Sequence, residues 1–124
     1  MFSLNWNDVP ETENLPNNFR VALAGKEMGI NRIRWVHPTT LPAHTHEDSE
    51  QAIIMIKGAI RFTIDGELQT LGEGDVTIVP RGAVHSGESI SGEAMFIEVF
   101  APLRLENLFG FLGGAGMPKK EGDD

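Results

Sequence analysis

Three of the four histidines have a spacing that suits metal binding. His44 and His46 are two positions apart within PAHTHEDSEQAIIMIKG, residues 42–58, and His85 follows a Pro-Arg-Gly turn. Side chains alternate along a strand, so a strand through this segment would direct His44 and His46 to the same face. Any one of these histidines alone would more often be structural. Together they predict a metal site built from nitrogen and oxygen ligands, because the chain contains no cysteine.

The order and spacing of these residues resemble the two sequence motifs of the cupin superfamily. The residues that match the motifs are His44, His46, Gln51 and Gly58 in the first and Gly74, Pro80, Gly82 and His85 in the second. Residues 59–73 separate the motifs, and the resemblance covers about residues 38–100. It implies an all-β fold, a cupin β-barrel or double-stranded β-helix of the jelly-roll type.

The same resemblance implies a ligand set of His44, His46, His85 and Gln51, with Gln51 in the place of the family's usual glutamate. Glu50 is adjacent and would face the other side of the strand, so it stays open as the alternative ligand. A carboxamide oxygen brings no charge, so a divalent ion held this way would act as a strong Lewis acid. These ligands suit Ni, Zn, Fe, Mn or Cu, and the sequence does not choose among them.

The last predicted strand carries an acid in an apolar setting. Glu98 either faces the barrel, where burial would raise its pKa and suit it to proton transfer, or lies on the wetter face. The segment EVFAPLR, residues 98–104, resembles the Asp-x-Phe-x-Pro-x-Arg ending of cupins that linearise 4,5-unsaturated monouronates. By that resemblance Glu98 transfers the proton, Phe100 lines the substrate pocket, and Arg104 pairs with the substrate carboxylate. We also expect Met55 to contact the substrate.

The elements that must position these residues are short strands. Alternation predicts strands over 19–25, 28–38, 50–58 and 94–102, a hairpin over 59–72 that turns at Asp65-Gly66, and a short strand ending at Pro80. In the strand 28–38, either face could point inward, so Arg32 or Arg34 could add a second cation. We predict an N-terminal arm over 1–18, a barrel domain over 19–112 and a flexible tail over 113–124, with 103–112 compatible with a short helix.

Composition limits the partners. The net charge of −8 argues against nucleic acid and means that an anionic small-molecule ligand would need a local cation. The longest uncharged apolar run, residues 52–56, is too short to cross a membrane, and the N-terminus does not read as a signal peptide, so a cytoplasmic protein is expected. Because that run is apolar on both faces, we also expect a homodimer or an arm that covers its outer side.

Three functions fit these features. The first is a metal-dependent lyase or isomerase acting on a small anionic sugar or keto acid such as a 4,5-unsaturated monouronate. The second is a dioxygenase with a redox-active metal. The third is a non-catalytic cupin that binds a small ligand.

Overall fold

Short segments of alternating apolar and polar residues, separated by turns, form ten strands within residues 3–102, which the computed structural model describes. In chain order the strands are β1 Thr12–Leu15, β2 Asn18–Ala24, β3 Gly29–Val36, β4 Thr40–His44, β5 Glu50–Lys57, β6 Ile60–Ile64, β7 Glu67–Leu71, β8 Val76–Val79, β9 His85–Ser89 and β10 Glu93–Ala101. A 3-10 helix, Trp6–Asp8, precedes them. No helix in this part of the chain is long and apolar enough to span a membrane.

The strands pair antiparallel in two sheets. One sheet has the order β1-β2-β3-β10-β5-β8 and the other the order β4-β9-β6-β7. The chain crosses between the sheets repeatedly, since β4 of the second sheet separates β3 from β5 of the first. This connectivity confirms the prediction of an all-β jelly-roll fold. The predicted hairpin is also present, with β6 and β7 joined at Asp65 and Gly66, whose φ angles of 48° and 83° suit a tight turn.

The hydrophobic core lies between side chains from both sheets. Ile33, Trp35 and Phe96 of the first sheet belong to one buried cluster with Ile60 and Phe62 of the second. Trp35 and Phe96 meet edge to face with ring centroids 5.2 Å apart, an arrangement that contributes about 1 kcal/mol beyond the buried area. The core therefore fixes the inner faces of β3 and β10, which carry part of the site.

The inner face of β3 is the one with Asn31, and the two arginines of this strand point outward. Arg34 donates to both carboxylate oxygens of Glu11, over 3.0 Å and 2.8 Å. Arg32 Nη1 donates to Asn7 Oδ1 over 2.7 Å. Both arginines thus hold the segment before β1 against the outside of the sheet, and neither supplies a cation to the interior.

Candidate metal centre

The three predicted histidines converge at one end of the four-stranded sheet. His44 ends β4, His85 begins β9, and the two are directly opposite each other in the antiparallel register. Their ring centroids are 4.1 Å apart, and those of His46 lie 4.7 Å from His44 and 4.8 Å from His85. One nitrogen from each ring lies within 4.8 Å of the others. The three imidazoles could therefore hold one metal ion.

His46 reaches this cluster from a loop. We expected one strand to direct both histidines to the same face. The strand β4 ends at His44, so only His44 lies on a strand and His46 follows it in a loop. The backbone N–H of Gly82 donates to the His46 carbonyl over 2.9 Å, which joins this loop to the turn before His85. Gly82 has φ of +75°, and an added Cβ would lie 3.3 Å from Glu47 Oε1. The glycine permits both the turn and the close approach.

Local hydrogen bonds determine which nitrogen two of the histidines present. His44 Nδ1 lies 2.7 Å from the Pro42 carbonyl oxygen, and His85 Nδ1 lies 2.9 Å from the Ala83 carbonyl oxygen. A carbonyl oxygen can only accept, so each Nδ1 carries the proton and donates it. Each Nε2 then has the lone pair that a metal ligand needs. His37, in contrast, is exposed and lies 2.7 Å through Nδ1 from Ser89 Oγ, away from the cluster.

The structure separates the two candidates for the fourth ligand. Gln51 is 3% exposed and its Oε1 finds no hydrogen-bond partner within residues 3–102. Glu50 is exposed on the opposite face of β5. A buried carboxamide oxygen without a partner is costly unless something binds it. The donor chemistry of Gln51 with three imidazoles thus fits a divalent transition metal, and the position of Glu50 does not.

Glu98 lies on the inner face of β10, held by two amides. Asn31 Nδ2 donates to Glu98 Oε1 over 3.1 Å, and Gln51 Nε2 donates to Glu98 Oε2 over 3.0 Å. Asn31 is the direct register partner of Glu98, while Gln51 pairs with Phe100 two positions on. Of the two orientations left open by the sequence, the structure therefore shows the inward one. Gln51 thus donates its amide to this carboxylate, while its Oε1 has no hydrogen-bond partner within residues 3–102.

A cavity of about 210 Å³ opens beside the histidines. His44, His46, Glu98 and Phe100 line it, and the Phe100 ring lies 5.5 Å from that of His46. Met55, which was predicted to line the substrate pocket, is packed in the hydrophobic core and is not among the described residues that line the cavity. Arg104, the candidate helix over 103–112 and the tail 113–124 lie outside the described residues.

Four polar residues that line the cavity were not identified from the sequence, Asn14 of β1 and three on β2 and β3. Asn18 and Arg20 project inward from β2, and Asn31 projects inward from β3. A signal for the first two is present, since they are two positions apart and so share a face of the strand. Asn31 was visible only as a polar residue on a face otherwise occupied by Ile33 and Trp35, which the sequence could not place inside or outside.

Comparisons with known proteins agree with this fold. A model of the cupin domain matches residues 35–100. A quercetin 2,3-dioxygenase of Bacillus subtilis (strain 168) is 28% identical over 72 residues, which are 58% of this chain and 21% of that protein, so the chain spans about a fifth of that relative.

Two solved structures are close in shape. KdgF from Halomonas sp. has a TM-score of 0.76 at 20% identity, covering 81% of this chain and 94% of that one. An RmlC-like cupin from Shewanella frigidimarina NCIMB 400 has a TM-score of 0.79 at 19% identity, covering 86% and 95%. At these identities the likeness shows a shared fold.

Proposed function

Since the chain belongs to the cupin family, we propose that it is a divalent-metal-dependent lyase or isomerase that acts on a small anionic sugar or keto acid. The observation that carries this proposal is a cluster of three imidazoles, two of which line one cavity together with an inward carboxylate. Imidazoles alone would suit a storage or structural site. A carboxylate in the same cavity adds a group that can move a proton.

His44, His46 and His85 would hold the metal, with Gln51 Oε1 as a fourth ligand. When bound, a divalent ion supplies Lewis-acid chemistry toward a substrate oxygen. All four protein ligands are neutral, so they do not offset the charge of the ion. The hydrogen bonds from the His44 and His85 rings to backbone carbonyls orient these two rings for that role.

Glu98 is the proposed proton-transfer residue. Two amide donors hold its carboxylate in one orientation, which is what a general base requires of its support. For a 4,5-unsaturated monouronate, the C1–O5 bond breaks as the C1 hydroxyl loses its proton, and C4 gains a proton as the enol at C5 becomes a ketone. The net change relocates one proton, with no atoms added or removed. Glu98 is the carboxylate placed to carry out that relocation.

Phe100 would form an apolar part of the substrate pocket, since its ring is buried beside His46. The substrate carboxylate would need a cation, because the chain has a net charge of −8. The resemblance proposes Arg104, which lies outside the described part of the chain, as one of the cations that would contact this carboxylate. Met55 is proposed to act only indirectly, by supporting the inner face of β5.

Elemental analysis tests the metal centre. We expect about one divalent ion per chain in the purified protein and none after His44, His46 and His85 are all changed to alanine. The matched control is His37→Ala, which removes the exposed histidine and should keep the metal. Equal metal content in the triple variant and the control would remove the proposal.

Loss of ultraviolet absorbance from an unsaturated monouronate tests the reaction. The wild-type protein should consume the absorbance, whereas Glu98→Gln should slow it by roughly 10²-fold or more, as expected for loss of a proton-transfer group. Glu88→Gln is the control, because Glu88 is an exposed acid of β9 that pairs with Arg61. No absorbance loss with wild-type protein would exclude this substrate while leaving the metal centre in place.

A dioxygenase is the second candidate, favoured by the sequence similarity to a quercetin 2,3-dioxygenase over 72 residues. It would require a redox-active metal and an open coordination position. Iron or copper in the purified protein together with oxygen uptake would favour it. Nickel or zinc with activity independent of oxygen would favour the lyase or isomerase.

We further propose a homodimer formed through the outer face of β5 and β8. Ile56, Val76 and Ile78 are each at least half exposed there, and β8 is an edge strand. The described part of the segment before β1, from residue 3 onward, lies against β3 and does not cover these side chains. A mass near 13.6 kDa in light scattering would show a monomer and contradict this proposal.

A further inference from the structure

We propose that β2 and β3 form a binding subsite for a polyhydroxylated carboxylic acid, in which Arg20 binds the carboxylate and buried amide and indole groups bind the hydroxyls. The inference rests on the proposed function, since it specifies which groups the substrate carries. It assigns them to a wall of the cavity formed by the six-stranded sheet. That wall is separate from the metal ligands.

The register of β2 and β3 directs this wall into the cavity. Asn18 pairs with Trp35, Arg20 pairs with Ile33, and Ala22 pairs with Asn31. Partners in an antiparallel pair project from the same face, and Ile33 and Trp35 belong to the core. Asn18, Arg20, Asn31 and Trp35 all line the cavity that His44 and His46 line. A small ligand there would therefore meet both the histidines and the β2–β3 wall.

Three polar atoms of this wall are buried without a hydrogen-bond partner in the part of the chain that the structure describes. They are Asn18 Oδ1, Asn31 Oδ1 and Trp35 Nε1, on residues that are 5%, 1% and 1% exposed. Buried polar atoms of folded proteins are almost always satisfied, and exceptions concentrate where a ligand or water binds. Two of the atoms accept and one donates. Hydroxyl groups match such a mixture, because each can donate and accept.

The positive charge of this wall favours a ligand with a carboxylate. Arg20 is the one cationic side chain among the described residues that line the cavity. A guanidinium has five N–H donors, so it can bind a carboxylate through two of them and keep its internal contacts. The volume of about 210 Å³ is below the roughly 300–1,000 Å³ of pockets for drug-sized ligands. The ligand is therefore the size of one sugar acid.

Calorimetric titration with gluconate and glucitol tests the subsite. The two probes carry similar hydroxyls, and only gluconate has a carboxylate. All titrations contain EDTA, so that the readout does not depend on a metal. We expect wild-type protein to bind gluconate more tightly than glucitol. Arg20→Gln should bind gluconate about tenfold more weakly than wild type does, which removes the preference, and should leave the affinity for glucitol nearly unchanged. Arg61→Gln is the control, since Arg61 is exposed and pairs with Glu88.

Arg20→Lys keeps the charge without the two-pronged geometry, so it should keep part of the preference. This variant also keeps the test decisive if Arg20→Gln does not fold. Equal affinity of wild type for the two probes, or equal preference in the Arg20 variants and Arg61→Gln, would overturn the proposal. Absence of metal in the purified protein would instead contradict the proposed function and leave these titrations unaffected.

Asn18→Leu separates a ligand-binding role from a structural one. It removes a buried oxygen that has no partner, so the ligand-free protein should melt about 4 °C higher. The same variant should bind both probes more weakly, since it removes an acceptor for hydroxyls. A lower melting temperature with unchanged probe affinity would show that Asn18 supports the fold only, and would remove it from the subsite.

Discussion

Replacing Gln51 by glutamate is expected to create a carboxylate pair that shares one proton. Gln51 Nε2 lies 3.0 Å from Glu98 Oε2, and the new oxygen would occupy nearly the same position. At 3.0 Å two unit negative charges repel by roughly 5 kcal/mol when the effective dielectric constant is about 20. At this position the amide of Gln51 donates a hydrogen bond to Glu98, whereas the family's usual glutamate would place a second negative charge against it.

Proton uptake relieves this repulsion at a cost that depends on pH. The cost is about 1.4 kcal/mol for each pH unit above an ordinary carboxyl pKa of about 4.3, or about 3.7 kcal/mol at pH 7. Because this is less than the repulsion, the pair should hold one proton at pH 7. The folded protein then binds a proton that the unfolded chain does not. The free energy of unfolding of Gln51→Glu should therefore fall by about 1.4 kcal/mol per pH unit between about pH 5 and 8.

Urea denaturation in EDTA at pH 5, 6, 7 and 8 measures this slope, with EDTA present so that no metal can neutralise the pair. Wild-type protein gives the reference. The swapped double variant, Gln51→Glu with Glu98→Gln, places one amide against one carboxylate again and should restore the slope of the wild type. If Gln51→Glu alone has the stability and slope of the wild type, the contact between Gln51 and Glu98 is not as described.

Three further predictions concern stability. Gly58→Ala should lower the free energy of unfolding, measured with urea, by roughly 3–5 kcal/mol, because the added Cβ would lie 2.5 Å from the Glu93 carbonyl oxygen at φ of +75°. Gly74→Ala is the control, since Gly74 has φ of +86° but open space around it, and should lower it by only about 1–2 kcal/mol. Equal losses would contradict the steric explanation. The hydrogen bond from Arg34 lowers the pKa of Glu11 from its ordinary value of 4.5. The stability that this ionised pair contributes is therefore complete above pH 4.5 and is lost as the pH falls through the lowered pKa. In Arg34→Gln the free energy of unfolding should fall less between about pH 5 and 3 than it does in the wild type, which urea denaturation at these pH values measures. Phe62→Ala should lower the free energy of unfolding by about 3–5 kcal/mol, because Phe62 is buried in the core. It should also lower the metal content of the purified protein, because the Phe62 ring lies 5.9 Å from that of His85. An unchanged metal content would show that this packing does not support the site.

Much of the fold could be predicted because alternation and turn chemistry are local. The hairpin at Asp65 and Gly66 needed only the identities of two residues, and the predicted strands agreed with the structure to within a few residues. Three short strands, β1, β4 and β9, were not predicted. The inward face of β3 could not be predicted, because Arg32 and Arg34 alternate with Asn31 and Ile33 in a pattern that fits either orientation. That choice depends on Glu11 and Asn7, which are distant in sequence.

The candidate site divides in the same way. The three histidines that converge were predicted by a spacing that the family resemblance made specific, and Gln51 stays a predicted fourth ligand. Arg20 was not identified as a cavity residue, because the spacing from Asn18 shows a shared strand face but the inward direction of that face depends on the pairing of β2 with β3. The orientation of Glu98 likewise required knowledge that Asn31 lies opposite it on the neighbouring strand.

The hydrogen bonds of His44 and His85 each span only two residues, from a ring to the carbonyl of the second residue before it. Such contacts have minimal sequence separation and require almost no loop closure, so they can form as soon as the segment is locally ordered. The tautomers of these two histidines therefore depend on local contacts and not on which strands pair around them. Variation elsewhere in the barrel can change what occupies the cavity while these rings continue to offer the same nitrogen.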